Sequence, residues 1–213
     1  MPHRGTIERR HQQREAILRA TSRLAGERGW QQVTMRRLAA ALGWKAASLY
    51  EYFSSKEELL AALVGDGFAR LLARVAGDGE KPGLHELARR TWAFAWEEPQ
   101  TYQAMHGLAG VPFGPPEQPE AKALFAIVRE AVQREVGDAQ LDLDAAADVC
   151  WALLHGTIAL AMSGRIAGGR ARAARLLDVG LDALVTGWRG AGGDGQRPGP
   201  AAHDRPGRDP LPR

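Results

Sequence analysis

The sequence of 213 residues contains a single cysteine, Cys150, which excludes an internal disulfide. Cys150 lies in a strongly apolar segment, and this favours a buried, inert thiol over a redox sensor. The six histidines are scattered without the spacing of metal ligands, so we expect no metal site. Runs of β-branched residues are also scarce, and together with the many Ala, Leu and Arg residues this favours an all-α fold.

The residue patterns of common enzymes are missing as well. We find no paired carboxylates, Ser/His/Asp set or phosphate-binding loop, since residues 190–195 lack the lysine and flanking strand of a P-loop. We therefore expect no enzymatic activity and no cofactor. The polar N-terminus has no apolar core of a signal peptide, and the longest apolar run, residues 149–162, is shorter than the ~20 residues of a membrane span. These features predict a cytoplasmic protein with no membrane partner.

Charge is segregated along the chain. Residues 1–52 hold ten Lys/Arg against four Asp/Glu, and residues 53–188 hold thirteen against eighteen. A basic front of about +6 is thus followed by an acidic body of about −5, within a formal net charge of +3. This asymmetry suggests a polyanionic partner for the front of the chain, although charge alone favours a merely solvated basic helix.

Residues 34–56 have the pattern of two short helices joined by a tight turn. Apolar residues recur at helical spacing after Thr34, which is placed to cap the first helix. Gly43 ends that helix, because glycine adopts the left-handed conformation of a helix stop at little cost. The second helix, predicted at about residues 45–53, has a small, polar, basic and aromatic outer face. A major groove admits such a helix when the helix before it holds it at an angle.

The sequence LGWKAASLYEYF at residues 42–53, followed by SKEEL at residues 55–59, resembles the DNA-binding domain of the TetR family of bacterial transcriptional regulators. The run REAILRATSRLAGERG at residues 14–29 is similar to the first helix of that domain, and residues 34–42 resemble its second helix. The resemblance covers about the first quarter of the chain. It implies that the front of the chain binds a double-stranded DNA operator.

A second resemblance lies in the body of the chain. The sequence WALLHG at residues 151–156, followed by Ser163 and Gly164, resembles the WHG-type C-terminal domain of some TetR regulators. The sequence EPQTY at residues 98–102 is similar to an earlier segment of that domain. This likeness implies a helical effector-binding body.

We therefore predict an all-α protein of about nine helices. An N-terminal three-helix helix-turn-helix DNA-binding domain is expected at residues 1–54, with a polar basic arm over its first ten or so residues and a first helix from about Arg10 to Arg28. A C-terminal helical ligand-binding and dimerisation bundle is expected at residues 55–189. Residues 190–213 should form a disordered tail, because eleven of these 24 residues are Gly or Pro.

The candidate DNA-binding residues lie in the second and third helices and at the start of the fourth. Hydroxyl groups and a lysine near helix starts suit phosphate oxygens, and Lys45 is placed to reach guanine O6 or N7. For Trp44, contact with the sugar–phosphate backbone and packing on the second helix both stay open. The resemblance implies phosphate contact as well as packing for Tyr50 and Tyr52. The full set is Thr34, Arg36, Trp44, Lys45, Ala46, Ala47, Ser48, Tyr50, Tyr52 and Lys56.

The candidate ligand-binding residues are large apolar side chains with a few polar groups among them. Such a set is typical of an internal small-molecule pocket, although for each residue alone a place in the core is the commoner role. The set is Trp92, Trp96, Tyr102, Met105, His106, Phe113, Phe125, Trp151 and His155. The last two long helices, rich in leucine and small residues, are predicted to form a homodimer through a four-helix bundle.

These observations together predict a sequence-specific DNA-binding transcriptional regulator. We expect a repressor that binds an inverted-repeat operator as a homodimer. A small, largely apolar ligand would release it by favouring a state that does not bind DNA. The alternative is a DNA-binding protein that needs no ligand, or one that needs a co-repressor.

Overall fold

The computed structural model describes residues 4–77, 81–108, 118–137 and 141–191. Within these ranges the chain forms nine α-helices and no strand, which confirms the predicted all-α fold. The helices are α1 (Arg4–Arg28), α2 (Met35–Ala41), α3 (Ala46–Tyr50), α4 (Lys56–Ala76), α5 (Leu84–Glu97), α6 (Pro99–Met105), α7 (Pro119–Val136), α8 (Leu143–Met162) and α9 (Gly169–Ala191). The predicted tail lies outside the described residues from 192 onward.

The first helix is longer than its apolar pattern predicts. It begins at Arg4, so the prediction of an arm before a first helix from about Arg10 is wrong for residues 4–9. Pairs one turn apart support this polar extension: the Gln12 amide donates to the Glu8 carboxylate over 3.3 Å, and His11 lies 3.1 Å from Glu15. The sequence pattern also missed a 3-10 turn at Trp30–Gln32, which follows α1.

A side-chain cap and a glycine define the start and the end of α2 in the helix-turn-helix. The Thr34 hydroxyl accepts from the backbone N–H of Arg37 over 3.2 Å, as the predicted cap requires. Gly43 has φ +70°, which glycine tolerates and which turns the chain after α2. Ile17, Leu38 and Leu49 are fully buried between α1, α2 and α3, so the three helices form one small core.

Helix α4 joins this head to the rest of the chain. The Ser55 hydroxyl accepts from the N–H of Glu58, and the Glu58 carboxylate accepts in return from the backbone N–H and the hydroxyl of Ser54. The bond from the Ser54 hydroxyl is the main reason that the pKa of Glu58 lies below its usual value. Along α4 a buried stripe that includes Phe68 and Leu71 packs against α5, α6 and α7.

Helix α8 packs mainly against α7 and α9. It is 20 residues long and apolar enough to cross a membrane by length and composition alone. Its buried residues, among them Cys150 and Ile158, instead pack against α7 and α9, as expected for a core helix. Burial raises the pKa of the Cys150 thiol to about 11, so the thiol stays protonated at neutral pH.

Candidate DNA-binding surface and ligand cavity

The outer surface of α3 carries most of the predicted DNA-reading residues. Lys45, the N-cap residue of α3, is exposed together with Ala46, Ala47 and Tyr50. The apolar spacing of Ala46, Leu49 and Phe53 predicts an inner position for Ala46, and its exposure shows that this prediction is wrong. On the opposite side Leu49 is fully buried and fastens the helix to the head core. The small side chains leave the backbone of α3 accessible, which close approach to a groove requires.

Tyr52 and Trp44 form a packed pair beside this surface. Their ring centroids lie 5.7 Å apart, and both side chains are half-buried. The Tyr52 hydroxyl donates to the amide oxygen of Gln13 in α1, while the Arg10 guanidinium lies 5.8 Å above the Tyr52 ring. Tyr52 therefore ties the segment after α3 to α1.

Two arginines of α1 hold the backbone directly after α3. The Arg10 guanidinium donates to the backbone carbonyl of Glu51 over 3.0 Å, and Arg14 donates to the carbonyl of Tyr52. Arg14 also lies 4.1 Å from the centre of the Phe53 ring. Sequence reasoning missed these positioning roles, although Arg10, Gln13 and Arg14 share one face at three- and four-residue spacing.

The other predicted DNA-binding residues surround α3. Arg36 is exposed on α2, and Ser48 is half-buried on α3. Lys56 is the first residue of α4 and is half-buried. Thr34 is exposed while its hydroxyl serves as the cap of α2. These residues and the exposed residues of α3 lie at the ends of three neighbouring helices.

A cavity of about 340 Å³ opens between four helices of the body. It is bounded by α4, the C-terminal end of α6, α7 and α8, and its described lining is Phe68, His106, Ala121, Lys122, Leu124, Phe125, Asp148 and Trp151. Three of the predicted ligand-binding residues, His106, Phe125 and Trp151, thus meet at one site. The other five lining residues were not predicted from the sequence, although Phe68 was detectable as part of the apolar stripe of α4.

Three polar rings, those of Tyr102, His106 and His155, form a cluster in which only His106 belongs to the cavity lining. The Tyr102 hydroxyl and His155 Nδ1 are 3.1 Å apart, and the His106 ring lies 4.4 Å from the Tyr102 ring and 4.6 Å from the His155 ring. Burial, with a smaller contribution from His155, lowers the pKa of His106 to about 3. Burial also lowers the pKa of His155 and raises that of Tyr102. All three rings are therefore neutral at pH 7.

The remaining ligand-binding candidates lie apart from the cavity lining. Trp92 and Trp96 pair on α5 with ring centroids 5.9 Å apart, and the Arg170 guanidinium covers the Trp96 ring at 4.8 Å. Met105 is fully buried against α4, beside Gly67. Phe113 lies outside the described residues. Within the ranges that the structure describes, no group of three or more His, Cys, Asp or Glu residues is arranged to hold a metal ion.

A chain of polar contacts joins the head to the body near this cavity. The hydroxyl oxygens of Ser22 in α1 and Thr101 in α6 are 3.1 Å apart, and the Thr101 hydroxyl donates to Glu98 over 3.2 Å. Arg70 of α4 donates to Glu98 and, over 2.9 Å, to Asp66. Helix α6 therefore touches the head at its first turn and the cavity at its C-terminal cap, His106.

The outer face of α8 and α9 is apolar. Val149 and Leu160 on α8 and Leu176 on α9 are each more than two-fifths exposed, and Val179 is 63% exposed. Ala152 and Ala183 add further small exposed residues to the same two helices. These exposed apolar side chains all lie on the last two helices of the described chain.

Comparison with known protein families gives matches in both halves of the chain. Residues 17–63 match the family described as "Bacterial regulatory proteins, tetR family". Residues 84–184 match the domain described as "Tetracyclin repressor-like, C-terminal domain". The first match contains α2 and α3, and the second contains most of the cavity lining.

Two curated relatives support these matches. The chain is 31% identical over 158 residues to an uncharacterised HTH-type transcriptional regulator, Rv0681, of Mycobacterium tuberculosis, covering 71% of each chain. It is 34% identical over 88 residues to the nucleoid occlusion factor SlmA of Pasteurella multocida, covering 41% of this chain. The match spans only 43% of that SlmA protein.

Solved structures share the fold. The protein SCO4313 superposes with a TM-score of 0.71 at 21% identity, over 87% of this chain and all of the other. BioQ with its natural double-stranded DNA operator superposes with a TM-score of 0.58 at 20% identity, over 83% of this chain and 98% of the other. At these identities the likeness describes the fold alone.

Proposed function

Because this chain belongs to the TetR family of bacterial transcriptional regulators, a family of DNA-binding proteins rather than enzymes, we propose that it is a repressor that binds an inverted-repeat operator as a homodimer. The observation that carries this proposal is the exposed surface of α3 around Lys45, held on its inner side by the fully buried Leu49. A DNA-binding repressor of this kind acts in the cytoplasm.

In this proposal the N-terminal end of α3 enters the major groove. Lys45 donates to guanine O6 or N7, while the methyl groups of Ala46 and Ala47 meet thymine methyls. Hydroxyl and cationic groups around the helix bind phosphates and set the position of the head on the duplex. The phosphate-binding set is Thr34, Arg36, Ser48, Tyr50 and Lys56, with Trp44 against the sugar–phosphate backbone. Tyr52 joins this set by exchanging its hydrogen bond to Gln13 for one to a phosphate oxygen.

Two copies would associate through the exposed apolar face of α8 and α9. A symmetric contact places the same residues of both copies together, so Val179 of one copy lies within the apolar face of the other. The four helices then form a bundle, and the two heads are related by a two-fold axis. Such a dimer reads two half-sites in successive major grooves, which is why the operator is an inverted repeat.

A small, largely apolar molecule in the cavity would control DNA binding. The cavity touches α4, which leads directly into the head, and the C-terminal cap of α6, whose first turn contacts α1. A ligand that fits the cavity better in a second arrangement of these helices shifts the population away from the DNA-binding arrangement. Each ~1.4 kcal/mol of preference between the two states changes the operator affinity tenfold.

The proposal is tested with the purified protein and the DNA upstream of its own coding region. Footprinting should show a protected inverted repeat, and sedimentation should show one dimer bound. Tyr50→Phe removes a phosphate contact without changing the ring, so it should weaken binding to all sequences alike. Binding that ignores sequence would contradict the operator proposal. A protein that binds the repeat only after addition of a small molecule would instead support the co-repressor alternative.

A further inference from the structure

His106, which lines the cavity, carries a buried polar atom without a hydrogen-bond partner among the described residues. Nε2 of His106 is inaccessible to water and has no hydrogen-bond partner among the described residues. Aromatic rings surround it: Phe68 lies at 5.9 Å and Trp151 at 5.5 Å from the His106 ring. A buried polar atom without a partner is costly, so the site favours an occupant that brings a hydrogen-bonding group within reach after a small rotation of the ring.

The charges around the cavity argue against an ionised occupant. Among the described lining residues the two charged side chains, Lys122 and Asp148, have opposite signs, and both are exposed. The interior wall is made of neutral groups, because burial keeps His106 uncharged. Moving an ionised group into such surroundings is unfavourable unless a fixed opposite charge accompanies it.

The volume of the cavity limits the size of its occupant. An engineered apolar cavity of about 150 Å³ holds benzene. A cavity of about 340 Å³ therefore accommodates roughly two fused rings. Phe68, Phe125 and Trp151 supply flat walls for such rings.

From these observations we propose that the effector is an uncharged compound of about two rings that carries a hydroxyl group, and that this hydroxyl pairs with His106. A hydroxyl both donates and accepts, so it satisfies Nε2 in either tautomer of the imidazole. This inference rests on the proposal that the cavity is the effector site, and it adds the chemical class of the effector.

Calorimetry on the full chain tests the inference with three probes that share one ring system and differ in a single substituent: 2-naphthol, naphthalene and 2-naphthoate. We expect 2-naphthol to bind roughly tenfold more tightly than naphthalene, because only the naphthol satisfies His106. We expect 2-naphthoate to bind at least tenfold more weakly than 2-naphthol, because its charge must be desolvated.

Variants of His106 then connect the preference to this side chain. His106→Leu should bring 2-naphthol and naphthalene to equal affinity, whereas His106→Gln, which keeps a hydrogen-bonding group, should retain part of the difference. His85→Leu, which changes a partly exposed histidine on α5, should leave all three affinities unchanged. Circular dichroism of each variant checks that the helical fold is intact.

The inference is overturned if 2-naphthoate binds most tightly, if none of the probes binds, or if His106→Leu keeps the naphthol preference. DNA release is measured separately on the operator complex. If 2-naphthol shows the expected selectivity and leaves the complex intact, the cavity binds the proposed class of compound but is not the effector site.

Discussion

The hydroxyl groups of Ser22 and Thr101 meet at 3.1 Å, although 79 residues separate them in the sequence. Ser22 belongs to the DNA-binding head and Thr101 to the first turn of α6, whose other end caps the ligand cavity. Thr101 is almost completely buried and is also bonded to Glu98, which in turn accepts from Arg70 of α4. The contact therefore joins the head to α4 and α6, two of the four helices that border the cavity.

Removing the Thr101 hydroxyl should lower the free energy of unfolding. Thr101→Val keeps the shape of the side chain and leaves Ser22 and Glu98 without this partner, so we expect a loss of about 1–2 kcal/mol in denaturant unfolding. A double-mutant cycle with Ser22→Ala should give a coupling energy of at least ~0.5 kcal/mol. A cycle of Thr101→Val with Thr157→Val, whose hydroxyl bonds only within α8, should be additive.

Gly67 allows α4 and α6 to pack closely. A Cβ at this position would lie 2.7 Å from the Met105 sulfur and 2.8 Å from Thr101 Cγ2. Gly67→Ala should therefore destabilise the protein by roughly 1–3 kcal/mol through overpacking. Gly65→Ala in the same helix meets only ordinary contacts, at 3.5 Å, and should be neutral or stabilising through helix propensity. Equal midpoints of thermal unfolding for the two variants would contradict this packing.

Stability should decrease as the pH falls below about 6.5. The unfolded chain takes up a proton on His106 near that pH, whereas the native state keeps the ring neutral until about pH 3 because of burial and the nearby His155. The stability that the neutral ring permits is complete above pH ~6.5 and is lost toward pH 3 at up to ~1.4 kcal/mol per pH unit.

Denaturant unfolding between pH 6.5 and 4.5 measures this dependence. His106→Leu should reduce the slope, and a residual slope from His155 should remain, because burial lowers its pKa too. His11→Gln changes a surface histidine beside Glu15 and serves as the control. If the His106 and His11 variants have the same slope as the unmodified protein, the buried histidine is not the cause.

A charge on the apolar face of α8 and α9 should disrupt the dimer. Val179 is 63% exposed in the single chain, and Val179→Glu would place two carboxylates within the proposed interface. Sedimentation velocity should show a shift from the dimer to the 23.1 kDa monomer. Ile7→Glu, which changes a residue 59% exposed on α1, should leave the mass unchanged. A Val179→Glu variant that remains fully dimeric would place the interface elsewhere.

Features that depend on neighbouring residues in the sequence could be predicted from it. Thr34 caps α2, Gly43 has the positive φ of a helix stop, and Pro99 occupies the first turn of α6. Each depends on backbone hydrogen bonds or dihedral angles within a few residues. The helix order and the exposed surface around Lys45 follow from such local patterns together with hydrophobic periodicity.

Features that depend on tertiary packing could not be predicted in this way. Helix α1 extends to Arg4 although no apolar periodicity requires it, and Arg10 bonds a carbonyl 41 residues away. The cavity joins Phe68, His106 and Asp148 from three helices whose relative positions the sequence pattern does not specify. Composition also could not separate the paired Trp92 and Trp96, which pack on α5, from rings that line the cavity.

The central claim is that the exposed start of α3 reads an operator, and a salt titration of DNA binding with Lys45→Ala tests it most directly. The account predicts that this variant loses about tenfold or more in affinity for the upstream inverted repeat. Its affinity for scrambled DNA should change much less, and both proteins should bind more weakly as salt rises. Lys81→Ala, in the body beside Glu130, should match the unmodified protein. If Lys45→Ala binds the repeat and scrambled DNA as the unmodified protein does, then α3 does not read the operator through Lys45 and the account is wrong.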